Sequence, residues 1–161
     1  MSDIEPRLAT VDDAEEVRRL ELMALAEADF RPTNTDWHDN YREALARHLA
    51  SGQMCGFVVE HPSQPGRLIA SGFAVWYELL PSPWLINGRM GYLQWFSVEP
   101  EFRNCGIGTQ LIKIAQTWLI EQGCVRIQLH SNPAAIPLYE RAGFAVNNEF
   151  PNMWWRPPET D

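Results

Sequence analysis

A chain of 161 residues, 45% apolar and 21% charged, has the composition of one globular domain, 1–161, that can bury a core without covalent staples. Its net charge of −8 argues against nucleic acid or an anionic membrane as a partner, because both call for a basic face. Cys55, Cys105 and Cys124 form no Cys-x-x-Cys pair, the N-terminus does not read as a signal peptide, and no apolar run approaches the ~18 residues of a membrane span; a cytoplasmic protein is expected.

The elements follow in chain order. Ile4–Ala9 reads as a short strand. Asp12 or Asp13 caps a helix to about Asp29, with Val17, Leu20, Ala24 and Ala28 on one face. Asn34–Asp36 offers caps for a second helix carrying Trp37, Tyr41, Leu45 and Leu49, ended by Gly52. Strands are expected near 54–60, 67–77 and 91–98. Residues 107–122 give the best amphipathic pattern in the chain, with Leu111, Ile112, Ile114, Ala115, Trp118 and Leu119 on one side and Gly123 as the stop. A strand at 124–129, a short helix at 134–142 and two strands near 144–149 and 152–156 complete the chain. The sum is a mixed α/β architecture, with about seven strands and four helices in layers. Acidic residues are concentrated early: residues 1–52 hold twelve against six basic ones.

Chemistry concentrates between Val98 and Thr109. Pro100 ends a strand, and a loop with Gly106 and Gly108 opens the amphipathic helix. The first N–H groups of a helix lack internal partners, and the macrodipole makes that end positive. Glycines let a bulky anion approach the backbone, and Arg103 adds a cation, so the segment reads as a phosphate or pyrophosphate cradle. It lacks the G-x-x-x-x-G-K-[ST] of a nucleoside triphosphate loop and the G-x-G-x-x-G of a dinucleotide fold. The four histidines and three cysteines show no metal spacing, so no metal is expected.

A second segment, Asn132 to Phe144, completes a pattern. Arg103-x-x-Gly106-x-Gly108, followed one helix and one strand later by Asn132-x-x-Ala135-x-x-Leu138-Tyr139-x-x-x-Gly143-Phe144, resembles the GCN5-related N-acetyltransferase (GNAT) superfamily. The resemblance is strong over residues 91–144. It implies a GNAT-like fold with a central, mostly antiparallel mixed sheet, and acetyl-coenzyme A as cosubstrate without a metal. It implies that Arg103, Asn104, Cys105, Gly106, Ile107, Gly108 and Thr109 hold the pyrophosphate. The pantetheine arm would lie along Phe96, Ser97 and Val98, where a bulge splays that strand from the next, and Asn132 would touch the arm. Tyr139 would protonate the thiolate that leaves when an amine takes the acetyl group; a phenol pKa near 10 suits that task.

Three departures from the family pattern stand out. Asn104 replaces the commoner glycine. Pro137 lies inside the second motif, which requires the short helix to start near Ala135 so that Pro137 falls in its first turn. Tyr92-Leu93-Gln94-Trp95-Phe96 holds no carboxylate, where many relatives place a general base; either a water chain removes the amine proton or another group does, and His130 and Glu78 are the candidates. Trp76, Trp84 and Trp95 would border an aromatic cleft for a cationic amine, and Trp154-Trp155 would give a homodimer face. The expectation is an acetyl-coenzyme A-dependent N-acetyltransferase acting on a small-molecule or peptide amine. The alternative left by the absent carboxylate is a non-catalytic acyl-coenzyme A sensor.

Overall fold

The computed structural model describes residues 4–149 and 152–157. One sheet carries five strands in sequential order: β1 (Arg7–Leu8), β2 (Met54–Glu60), β3 (Leu68–Glu78), β4 (Arg89–Val98) and β5 (Arg126–Leu129). Strands β1 to β4 pair antiparallel, and β5 joins β4 in parallel, which gives the mixed, mostly antiparallel sheet expected. The helices are α1 (Ala14–Glu27), α2 (Asp36–Asp39), α3 (Tyr41–Ala50), α4 (Ile107–Glu121) and α5 (Ile136–Arg141).

Alternation along β2 divides the core into two layers. Phe57 and Val59 face α4, where Leu111, Ile112, Ala115 and Leu119 pack on them together with Ala74 and Leu93. Val58, one residue out of phase, faces the other way with Leu68 and Phe73, against Val17 and Leu20 of α1 and Leu45 of α3. Each of the Val, Leu, Ile and Phe side chains among these contributes about 1.5–3 kcal/mol by leaving water.

Three boundaries differ from expectation. The second helix is broken at Asn40, whose φ of −95° and ψ of −4° separate α2 from α3. The first strand shrinks to Arg7–Leu8. The sheet has five strands among the described residues rather than about seven, because 144–149 and 152–157 pair with none of them. Asn147 Oδ1 accepts a hydrogen bond from the Glu149 N–H at 3.1 Å, a local turn that competes with a sheet ladder. Met153, Trp154 and Trp155 are more than four-fifths exposed. Among the described residues, no helix is long and apolar enough to cross a membrane.

Candidate active site

The site begins where two strands part. Parallel pairing of β4 with β5 runs from Met90–Arg126 to Leu93–Leu129 and stops. Strand β4 continues to Val98, so from Gln94 onward its β5-facing edge has no strand beside it among the described residues. A bulge sits at this point: Ser71 pairs with Ser97 and Phe73 with Gln94, so three steps of β4 face two of β3. Trp95 takes up the extra residue with φ +54°, a left-handed backbone that costs a non-glycine residue about 1 kcal/mol. Phe96 then folds over Gly72, where a Cβ would stand 2.5 Å from the Phe96 ring. The bulge thus depends on a glycine across the ladder, and it leaves the Phe96–Val98 backbone open to an extended chain.

The cradle lies at the end of β4. Glu99, buried, accepts from Arg19 and Arg67 at 2.8 Å each, and its N–H reaches the Ile69 carbonyl at 2.8 Å. This roots a turn, Pro100–Phe102, that leads to Arg103. Asn104 (φ +61°) and Gly106 (φ +86°) are both left-handed and flank Cys105, which curls the backbone into a concave loop. The left-handed φ explains why glycine is the commoner residue at position 104 and why asparagine is tolerated. No side chain caps α4 and no acid sits in its first turn, so the N-terminal N–H groups there meet no competing anion. Ile107 is buried and anchors the helix start. Gly108 lies under Leu138, whose Cδ2 would be 3.4 Å from an added Cβ, and Thr109 is half-buried beside it. Arg103 is engaged differently from the sequence reading: its Nε donates to the Val98 carbonyl at 2.9 Å, and its Nη2 pairs with the Glu27 carboxylate at 2.7 Å.

Past the end of β5 come His130, Asn132 and Tyr139. Helix α5 starts at Ile136 with Pro137 in its first turn, as the motif required. Tyr139 is half-buried, edge-on to Phe144 at 6.0 Å. Burial, and after it the neighbouring Tyr92 phenol, pushes its pKa up to about 12. His130 Nδ1 lies 2.7 Å from the Tyr92 hydroxyl, and its Nε2 contacts Asn152 Nδ2. Next to it along the sheet, Gln128 Nε2 donates to the Tyr77 hydroxyl at 2.6 Å. Asn132 caps the turn before α5, its Oδ1 accepting from the Ala135 N–H at 2.9 Å, which leaves its Nδ2 without a partner among the described residues. Tyr139, His130, Gln128, Glu140 and Asn152 line one cavity of about 980 Å³.

Glu78 and Trp76 lie elsewhere. Glu78 is exposed at the far end of β3, opposite Arg89, whose Nε is 3.4 Å away, and five residues along the strand from the bulge-facing Phe73. Trp76 is stacked under Arg89, with Cζ 4.5 Å from the ring centre, so that ring already holds a cation. Trp84 and Trp95 are exposed, Trp84 lining the cavity with His130 and Tyr139 and Trp95 at the bulge. One group escaped the sequence reading: Glu21, buried on α1 and bonded to the Tyr41 hydroxyl at 2.5 Å. Burial pushes its pKa up to about 7, against the opposing effect of the Tyr41 hydrogen bond. The available signal was an acid four residues after Val17, on the apolar face of its helix.

Comparison with known proteins agrees with this geometry. A predicted acetyltransferase from Clostridium acetobutylicum, solved with acetyl-CoA, superposes with a TM-score of 0.82 over 92% of this chain and 94% of its own, at 20% identity. A GCN5-related N-acetyltransferase from Ralstonia eutropha gives a TM-score of 0.78 over 93% and 97%, at 29% identity. Thialysine N-epsilon-acetyltransferase from Sus scrofa is 30% identical over 89 residues, which are 53% of this chain and 51% of the pig protein. The chain thus spans about half the length of that curated relative. The profile of the acetyltransferase (GNAT) family matches residues 14–144, and the chain belongs to that family.

Proposed function

We propose that the protein transfers an acetyl group directly from acetyl-coenzyme A to a primary amine, in the reducing cytoplasm where its three free cysteines would persist. The observation that carries the reading is the split between β4 and β5, flanked by an uncapped helix N-terminus on one side and a buried phenol on the other. The pyrophosphate would rest on the backbone N–H groups of Gly106, Ile107, Gly108 and Thr109, within the loop opened by Asn104 and Cys105. The pantetheine arm would pair with the free edge at Phe96, Ser97 and Val98, with the unpartnered Asn132 amide within the same site. The open backbone N–H groups of β4 would polarise the thioester carbonyl as the amine adds. The tetrahedral intermediate then expels the thiolate, and Tyr139 gives it a proton. The Tyr139 hydroxyl is protonated at neutral pH and would be the proton source. Arg103 would turn from Glu27 to the phosphates. His130, joined to Tyr92, would take the proton that the amine releases.

Calorimetric titration with acetyl-coenzyme A, with adenosine diphosphate as control, tests the cofactor. Tyr139→Phe tests the chemistry: turnover falls about 10²-fold, the usual worth of a general acid, while acetyl-coenzyme A binds as before. Wild-type turnover in that variant overturns the role of Tyr139, and a folded protein that does not bind the cofactor overturns the function.

A further inference from the structure

Side chains alternate along β5 between the two faces of the sheet. Ile127 and Leu129 pack against the α4 layer, so Arg126, Gln128 and, just past the strand, His130 point to the opposite face. Cross-strand contacts agree: Gln128 bonds to the Tyr77 hydroxyl and His130 to the Tyr92 hydroxyl. Arg126 differs from both, with no hydrogen-bond or ion-pair partner among the described residues. The other arginines on strands, Arg7 and Arg89, each hold a carboxylate. With a net charge of −8, acids to pair with are in excess, so a strand arginine left without one stands apart.

Arg126, Gln128 and His130 all line the cavity of about 980 Å³ that also holds Tyr139. Arg126 is the one arginine or lysine among the described residues that line it. Four residues separate Arg126 from His130, about 13 Å along an extended strand. Glu140, the residue after Tyr139 on α5, lines the same cavity and makes no ion pair with Arg126. The cavity is thus polarised, with a free guanidinium at the start of β5 and a carboxylate on the helix that carries Tyr139. A guanidinium presents a planar fork of donors that matches a carboxylate, and such a pair is among the stronger hydrogen-bonded contacts a protein makes.

We propose that Arg126 is a specificity-determining residue for the acceptor: it pairs with a carboxylate that the acceptor carries about 13 Å from the amine to be acetylated. The proposal rests on the acetyltransferase reading above. An amine held at Tyr139 and His130 leaves the rest of its molecule to run along the β5 wall toward Arg126. An extended peptide covers ~3.3–3.6 Å per residue, so three or four residues bridge that distance. A linear ω-aminocarboxylate with as many chain atoms does the same. The shared chemistry is an amine and a carboxylate held apart by an extended chain. Glu140 disfavours the reversed orientation, which would bring the acceptor's carboxylate toward a like charge.

The test measures acetylation at pH 8 of glycine peptides of two to six residues, each as the free acid and as the C-terminal amide, by the wild type and by Arg126→Gln. Circular dichroism checks the fold of the variant. Wild type is expected to favour the free acid over the amide at least tenfold in kcat/KM at three or four residues, and less at two. Arg126→Gln is expected to erase that preference through KM, with kcat/KM for the amides and acetyl-coenzyme A affinity unchanged. Linear ω-aminocarboxylates and 1-aminoalkanes of equal length form a second arm. A carboxylate preference in either arm, lost in Arg126→Gln, supports the proposal; one confined to the peptides assigns the site to peptide N-termini, and one shared by both arms to small amino acids as well. Equal use of acids and their uncharged counterparts by the wild type in both arms, or a preference untouched in Arg126→Gln, overturns it. Calorimetry of the same compounds covers the case in which no amine is acetylated. Free acids that bind the wild type at least tenfold more tightly than their counterparts, and Arg126→Gln no more tightly, support the Arg126 contact although the acetyltransferase reading fails. Equal binding, or none, overturns it.

Discussion

Glu21 and Asp13 are both buried acids on or beside α1, and their environments set opposite pH behaviour. The Arg7 guanidinium, chiefly through its hydrogen bonds, holds Asp13 below the usual carboxylate range. That stabilisation is present above the unfolded pKa and is lost as pH falls through the folded one. Burial lifts Glu21 from 4.5 to about 7. Below pH ~4.5 the group is neutral in both states and costs nothing; above pH ~7 the folded protein carries a buried anion that the unfolded chain solvates freely. The sign is therefore a loss of stability as pH rises from ~4.5 to ~7, by up to about 3 kcal/mol from the size of the shift. Glu21→Gln, which removes the charge, is expected to raise the unfolding free energy at pH 8 by about 1–3 kcal/mol and to leave it unchanged at pH 4. Urea unfolding at the two pH values measures this, and an equal effect at both would show that the buried charge is not the cause. The residue was visible in the sequence as an acid on an apolar stripe. Its isolation was not, because which acids find an arginine is settled by the fold: Arg19 and Arg67 reach Glu99 across 80 and 32 residues.

At the scale of the element, the long pieces were readable and the short ones were not. Strands β2, β3 and β4 and helix α4 lie within two residues of the positions expected from periodicity, because each buries a continuous face. The bulge was expected from the family resemblance, but its means were not. Nothing in the local pattern of Tyr92–Val98 announces that Trp95 turns left-handed, because the permission comes from Gly72 on the neighbouring strand. Segments 144–149 and 152–156 alternate too briefly to prescribe a strand, and Asn147 offers the backbone a turn instead. Gly72→Ala is accordingly expected to push the Phe96 ring out of place, costing about 1–3 kcal/mol of stability as an overpacked site does. Acetyl-coenzyme A affinity is expected to fall with it. Chemical denaturation and calorimetry on the same variant test the link, and a destabilised protein with unchanged affinity would separate the bulge from the cofactor edge.

Across the whole molecule, α1 ties the sheet to the loop that precedes α4. Its sheet-facing stripe carries Glu21, Arg19 grips Glu99, and Glu27 near its end holds Arg103 in the anion loop. The last pair is about two-fifths exposed on each side, so it is worth no more than about 1 kcal/mol. Glu27→Gln removes that competitor for the guanidinium. Acetyl-coenzyme A is expected to bind up to about fivefold more tightly at low salt, with the gain fading as salt is added; weaker binding would mean that Glu27 positions Arg103 rather than diverts it. The Glu99 junction has a different effect. Because α1, the first residues of β3 and the last of β4 meet on one buried carboxylate, the backbone ahead of the loop is pinned from three directions before any ligand arrives. A socket fixed in this way has little disorder left to lose when it is filled. If coenzyme A binds as proposed, the enthalpy of its phosphate contacts would then appear as affinity rather than being spent on setting the loop.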